Sequence, residues 1–182
     1  MTGPTIAAPR QAEHDQIHLA NAGLVLLHPF LPLFFERLGL LSTDGGALVA
    51  GLGAASKAVH LLQYLADGRL DRPASDLVLN KLLCGLDPAA PVEPAVEVGA
   101  DEIALCNGLI ATVVARWSNM GNISAAGLRE TFLQREGTLR REGDGWTLTV
   151  QRKTVDVLLD RIPWSFAIVY QRWMREPLRV RW

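Results

Sequence analysis

Cysteine is scarce in this chain, with two residues among 182, Cys84 and Cys106, each inside an apolar run and neither in a Cys-x-x-Cys pair. That count excludes a disulfide scaffold, and both thiols read as buried packing groups in a protein made in a reducing compartment. An excess of charge of one sign is missing too. Eighteen basic and nineteen acidic side chains leave a formal net charge of −1, without the cationic surface that non-specific nucleic-acid binding requires. Long hydrophobic runs are absent: Pro29, Pro32, Glu36 and Arg37 interrupt Leu24 to Leu41, and Lys57 follows the run that begins at Gly45, so nothing approaches the ~18 apolar residues of a membrane span. The first twenty residues hold Arg10, Glu13, His14 and Asp15 but no apolar stretch, and the expectation is of no secretory leader. Ready-made catalytic motifs are lacking as well. Gly51-Leu-Gly-Ala-Ala-Ser misses the last glycine of a dinucleotide fingerprint and lies in a helical pattern, and there is no Gly-x-Ser-x-Gly, Walker-type loop or His-Glu-x-x-His. The expectation is therefore of no catalytic residues, no metal and no cofactor.

What the chain does have is apolar side chain, 49% of residues, enough for one well-buried core. The fold class expected is α+β: a helical part over 17–136, a small C-terminal antiparallel sheet over 137–182, and a flexible tail over 1–16. Two prolines three apart, Pro29 and Pro32, predict a short helix, a break, and a second helix ending at Gly39. Helical spacing recurs over Ala47 to Leu65, from Ser75 to about Gly85, and over Asp101 to Trp117, where Ile103, Cys106, Ile110, Val113, Val114 and Trp117 form one stripe. Ser124 can cap a further helix with Leu128 and Phe132 inward. Between Asp87 and Gly99, Pro88, Pro91 and Pro94 make the one credible linker, a Pro-rich loop at 87–99. Then the period changes to two. Thr138 to Glu142 and Trp146 to Arg152 alternate around Gly-Asp-Gly, which predicts a hairpin with Trp146, Leu148 and Val150 inward. Val155 to Ile162 reads as a short helix, Phe166 to Tyr170 as a buried strand, and Leu178 to Trp182 as a closing strand with Arg179 and Arg181 on its other face.

Histidines offer little. His14 and His18 have the spacing of two ligands on a helix but lie near the expected tail, and His28 and His60 have apolar neighbours. Tryptophan and arginine are more informative. Four tryptophans, Trp146, Trp164, Trp173 and Trp182, fall in the last 37 residues among seven basic side chains from Arg152 to Arg181. Residues Met1–Leu128 carry 7 basic and 12 acidic groups, and Arg129–Trp182 carry 11 and 7, so a −5 portion joins a +4 portion. These residue types anchor protein interfaces, although tryptophans can equally fill a sheet core. The candidate protein-binding surface is Arg172, Trp173, Arg175, Arg179 and Arg181.

Several segments together resemble a known family. They are Asn21-Ala-Gly-Leu-Val-Leu-Leu-His-Pro-Phe-Leu-Pro, Ala58-Val-His-Leu-Leu-Gln-Tyr-Leu, Leu77-Val-Leu-Asn-Lys-Leu-Leu-Cys-Gly-Leu, Gly127-Leu-Arg-Glu-Thr-Phe-Leu-Gln-Arg-Glu-Gly, Asp156-Val-Leu-Leu-Asp-Arg-Ile-Pro-Trp and Leu178-Arg-Val-Arg-Trp. In this order they look like the tape-measure proteins of contractile injection systems, the phage-tail-like particles of many bacteria. The polar letters of Leu79-Asn-Lys-Leu-Leu-Cys-Gly-Leu and Phe132-Leu-Gln-Arg-Glu-Gly are the most specific, because no packing rule evident in the sequence dictates them. Members of that family are usually much longer, and more often have Pro-Trp-Met where this chain has Arg172-Trp-Met. The resemblance implies a non-enzymatic assembly or docking component, synthesised in the cytoplasm and incorporated into a particle. Its partners would be tube, baseplate or cap proteins, with no nucleic acid and no membrane insertion. Rival expectations are an assembly chaperone for the particle, and a small intracellular enzyme or ligand-binding domain with a pocket near His28, His60 and Cys84.

Overall fold

A computed structural model of the chain describes residues 16–44, 46–48, 50–117 and 120–182. The α+β class holds, with the helices mainly in the first two-thirds and a five-stranded sheet built mostly from the C-terminal third. Strand β1 is Gln16–Leu19, followed by the 3-10 helix Ala22–Phe30 and helix α1, Leu31–Arg37, which has Pro32 in its first turn. The expected break at Pro29 is corrected: Pro29 lies inside the 3-10 helix, which passes directly into α1 after Phe30, whereas the stop at Gly39 (φ 68°) is where the glycine predicts it. Helix α2 (Leu52–Asp67) begins later than its apolar spacing suggests, because Gly51 adopts φ 120° and turns the chain before it. The Gly68 N–H closes that helix on the Tyr64 carbonyl at 2.8 Å. A 3-10 turn at Ala74–Leu77 leads into α3, Val78–Leu83. Helix α4 spans Ala100–Arg116, where Glu102 accepts the Gly99 N–H at 2.8 Å and caps the first turn. Helix α5, Ala125–Leu128, is capped by the Ser124 hydroxyl and widens into a π-helical turn over Arg129–Leu133.

Strands β2 (Gly137–Glu142) and β3 (Gly145–Val150) are the predicted hairpin. A 3-10 helix at Thr154–Arg161, the two-residue β4 (Ile168–Val169) and β5 (Leu178–Arg181) complete the chain. The expectation of a purely antiparallel sheet is corrected. The order is β1-β2-β3-β5-β4, and β5 runs parallel to β3, with Trp146 opposite Leu178 and Leu148 opposite Val180. The 27 residues between β3 and β5 supply the crossover that a parallel pair needs. β5 therefore lies inside the sheet, and the strand expected to be buried over Phe166 to Tyr170 is instead the two-residue edge strand β4, with Ile168 and Tyr170 exposed because only β5 flanks it. A second correction concerns β1, which falls within the expected helical part. Its four residues put Ile17 opposite Leu139 and Leu19 opposite Gly137, an alternation too short to stand out. The expected tail, Gln16 excepted, lies outside the described residues, as does His14. His18 is on an exposed strand position and not on a helix.

Leu19, Leu139, Leu148, Val150, Leu178 and Val169 form the buried face of the sheet. The 3-10 helix Ala22–Phe30 lies close against it; a Cβ on Gly137 would come within 2.7 Å of the Ala22 Cβ. Helices α2, α3 and α4 add Leu61, Leu62, Leu79, Leu83 and Ile110 to the same core. The opposite face of the sheet bears Arg140, Thr149, Arg179 and Arg181, all exposed. The Pro-rich segment has no helix or strand, but it is not a free linker. Ser56 accepts the Glu93 N–H at 2.8 Å, the His60 ring nitrogen meets the Glu93 carbonyl at 2.8 Å, and Lys81 reaches the Pro88 carbonyl at 3.2 Å.

Candidate functional site

Alternation in β5 sends Leu178 and Val180 toward the core and Arg179 and Arg181 outward. In register, Arg179 is opposite Thr147 on one side and Ile168 on the other, and Thr147 is in turn opposite Arg140 of β2. One row across the open sheet face thus reads Arg140, Thr147, Arg179, Ile168. The next row carries Thr138, Thr149 and Arg181. At about 4.8 Å per strand, Arg140 and Arg179 are about 10 Å apart at their backbones, close enough to share one positive field. Arg181 reaches Glu142 at 3.3 Å, and Glu142 also accepts the Thr147 hydroxyl at 2.9 Å. Arg179 makes no ion pair with a described residue. Arg140 was not singled out in the sequence, yet the alternation Thr138-Leu-Arg-Arg contained it; its strand pairing was the missing piece.

Arg172 and Arg175 do not join this row. Arg172 is exposed and opens on a cleft with Pro32, Glu36 and Ser42, whereas Arg175 lines another cleft of about 280 Å³ with Leu86, Pro88, Trp146 and Arg141. There the Arg141 guanidinium lies over the Trp146 ring, 5.3 Å from its centroid, and pairs with Glu176. Trp173 turns inward. Its indole N–H donates to the Leu83 carbonyl at 2.9 Å and its ring meets Phe35 edge-on at 5.5 Å, because Gly85 (φ 75°) lets the backbones of the two loops touch.

The remaining tryptophans are committed internally in the same way. Trp117 donates to the Leu158 carbonyl at 3.0 Å, Trp164 to the Leu26 carbonyl at 3.0 Å, and Trp182 to the Asp156 carboxylate at 3.0 Å. Asp156 is the acceptor of a buried cluster. Arg135, fully buried, donates to both of its oxygens (3.2 and 2.5 Å) and is itself stacked near Phe132 and Trp182. Burial works to raise the Asp156 pKa, but hydrogen bonds from Arg135, the Lys153 N–H and the Trp182 indole together hold it below the usual carboxylate value. A second buried polar cluster joins Asn21 to Gln63 (2.9 Å) and Asn80 (2.7 Å).

His28, His60 and Cys84 do not converge on one cavity. His28 meets the Ser165 carbonyl at 2.7 Å, and burial lowers its pKa despite that bond. The His60 ring is fully buried against the Pro-rich segment. Burial raises the thiol pKa of Cys84, and pushes that of Cys106 up to about 12, so neither presents a thiolate near neutrality. Among the described residues no three His, Cys, Asp or Glu side chains gather as metal ligands, and no helix is long and apolar enough to cross a membrane. One further concavity, about 560 Å³, lies between α1 and α4 and is lined by Phe30, Leu33, Phe34, Leu105 and Leu109, with Arg37 and Asp101 at its rim.

No curated protein and no solved structure matches the chain. One protein family does, described as contractile injection system tape measure protein, over residues 3–182. With essentially its whole length matched, the chain belongs to the contractile injection system tape measure protein family.

Proposed function

We propose that this chain is a non-enzymatic docking component of a contractile injection particle, and that it engages another particle protein through the basic outer face of its sheet. Family membership makes it part of such a particle. The observation that carries the finer reading is the cluster of Arg140, Arg179 and Arg181 on two adjacent rows of the outer sheet face, all three exposed, in a chain whose net charge is only −1. Such a face steers an acidic partner toward a fixed register. The non-enzymatic reading is supported by the commitment of His28 and His60 to backbone carbonyls and by the burial of both thiols.

The test is charge reversal. Arg179→Glu with Arg181→Glu leaves the buried face untouched and should preserve the fold. Association with particle components should slow by tenfold or more at low salt, and the difference should shrink at high salt as screening removes the steering. Equal co-purification of wild type and double variant at every salt concentration would refute the docking face.

A further inference from the structure

Beyond its charge, the sheet face ends in an open backbone edge. β4 is the outermost strand on that side. The Val180 N–H donates to the Ala167 carbonyl at 2.8 Å, which makes 167 and 180 a hydrogen-bonded pair of the antiparallel ladder. Ile168, opposite Arg179, is then the non-bonded position, and its own N–H and C=O point away from β5. Among the described residues neither group has a hydrogen-bond partner. The side chains beside it are exposed and apolar: Ile168 is 61% accessible and Tyr170, two residues on, 55%. An unpaired edge is a template for another strand; β4 is short, at two residues, but is guarded by neither a lysine nor a proline.

We propose that the free edge of β4 receives an extended segment of another particle protein as a sixth strand, one whose outward side chains are carboxylates and whose inward ones are apolar. The inference rests on the docking reading above and names the partner's chemistry. The backbone groups of Ile168 would supply the pairing and the alternate side chains the selectivity. Outward carboxylates would pack their stems on Ile168 and reach Arg179, which has no ion-pair partner of its own among the described residues, and then Arg181. A second copy of this chain fits less well. Pairing β4 with β4 would place two sets of Arg179 and Arg181 on one continuous face, where like charges oppose.

The probe is a blocked peptide of four Glu-Val repeats, titrated into the full chain while amide exchange is followed by NMR. The expected result is protection of the Ile168 amide, with binding at least tenfold weaker for the Lys-Val counterpart and for a Glu-Val peptide N-methylated at alternate residues. The methylated probe keeps the charge and removes the pairing without altering the protein. No binding at millimolar peptide, equal binding of the methylated probe, or an unprotected Ile168 amide would overturn the proposal. So would a concentration-dependent dimer that protects the same amide without peptide. Ile168→Pro, which removes the outward N–H together with the Ile168 side chain but leaves Arg179 and Arg181 in place, separates this idea from the docking face. If charge reversal at Arg179 and Arg181 blocks entry into the particle and Ile168→Pro does not, strand addition fails and docking stands; if neither blocks it, both fail.

Discussion

Two single residues decide how closely this chain can pack. A Cβ on Gly23 would fall 1.7 Å from the Phe132 carbonyl oxygen, so the 3-10 helix Ala22–Phe30 and the π-helical turn meet backbone to backbone. Gly23→Ala should therefore cost about 3 kcal/mol, the upper end of overpacking. Gly108→Ala, in exposed helix with nothing within 4 Å of the added atom, should instead add about 0.5–1 kcal/mol. Denaturant midpoints of the two variants check the contrast. Asp156 sets the other residue-scale limit. Asp156→Asn leaves the fully buried Arg135 without its counter-charge and should cost about 3–5 kcal/mol at pH 7. The native pKa of Asp156 lies below its unfolded value of about 3.9. Its contribution is thus complete above that value and is lost as pH falls through the lower native one. Urea unfolding at pH 7 and pH 3 should show the gap between wild type and variant narrowing in acid; a gap that is constant or wider would contradict this account.

At the level of elements, β5 is the keystone of the sheet, because it is paired on both edges, with β3 and with β4. Deleting Leu178–Trp182 removes the buried Leu178 and the half-buried Val180 and Trp182 that pack against the core, and orphans β4 as well. At about 1.5–3 kcal/mol per buried apolar side chain the loss is on the order of 5 kcal/mol, which a lowered thermal midpoint would register and an unchanged one would deny. This strand was plain in the sequence, as was the hairpin, since period-two alternation shows in five residues. Its neighbour was not. Parallel pairing with β3 depends on how 27 intervening residues cross over, and alternation carries no direction. β1 was missed because Gln16 to Leu19 holds a single alternation, and it gains its meaning only from Leu139 and Gly137 opposite. The tryptophans show the same limit. An indole that donates to a buried carbonyl and one that waits for a partner look alike until the carbonyl is found, and those of Trp117, Trp164 and Trp173 each find theirs in a segment more than 40 residues away.

Across the whole molecule, the polar letters that carry the family resemblance acquire a physical reason. Asn21, Gln63 and Asn80 come from three of the matching segments and hydrogen-bond one another in the core. Gln134 and Arg129 satisfy the last carbonyls of α2, Ala66 at 3.2 Å and Leu65 at 3.0 Å, while Arg135 joins Asp156 and Trp182 from two further segments. Packing does dictate these residues, through partners far away in sequence, and what they preserve is this fold. A fold that ties its segments together in this way is poorly suited to act as a length gauge. Fully helical, 182 residues would reach about 270 Å, whereas a compact body of that size has a radius of gyration near 16 Å by the usual scaling. We therefore expect these residues to serve as a docking body and not to set tube length themselves. The Pro-rich segment offers the place to test it. Glu93 is pinned to Ser56 and His60, but Pro94, Ala95 and Glu97 are exposed, so about twenty helix-forming residues inserted after Ala95 should leave the fold standing. A gauge running through this segment would lengthen the particle by about 1.5 Å for each added residue, or about 30 Å. Electron micrographs of particles carrying the insertion should show an unchanged length distribution, and a 30 Å increase would assign the measuring role to this chain.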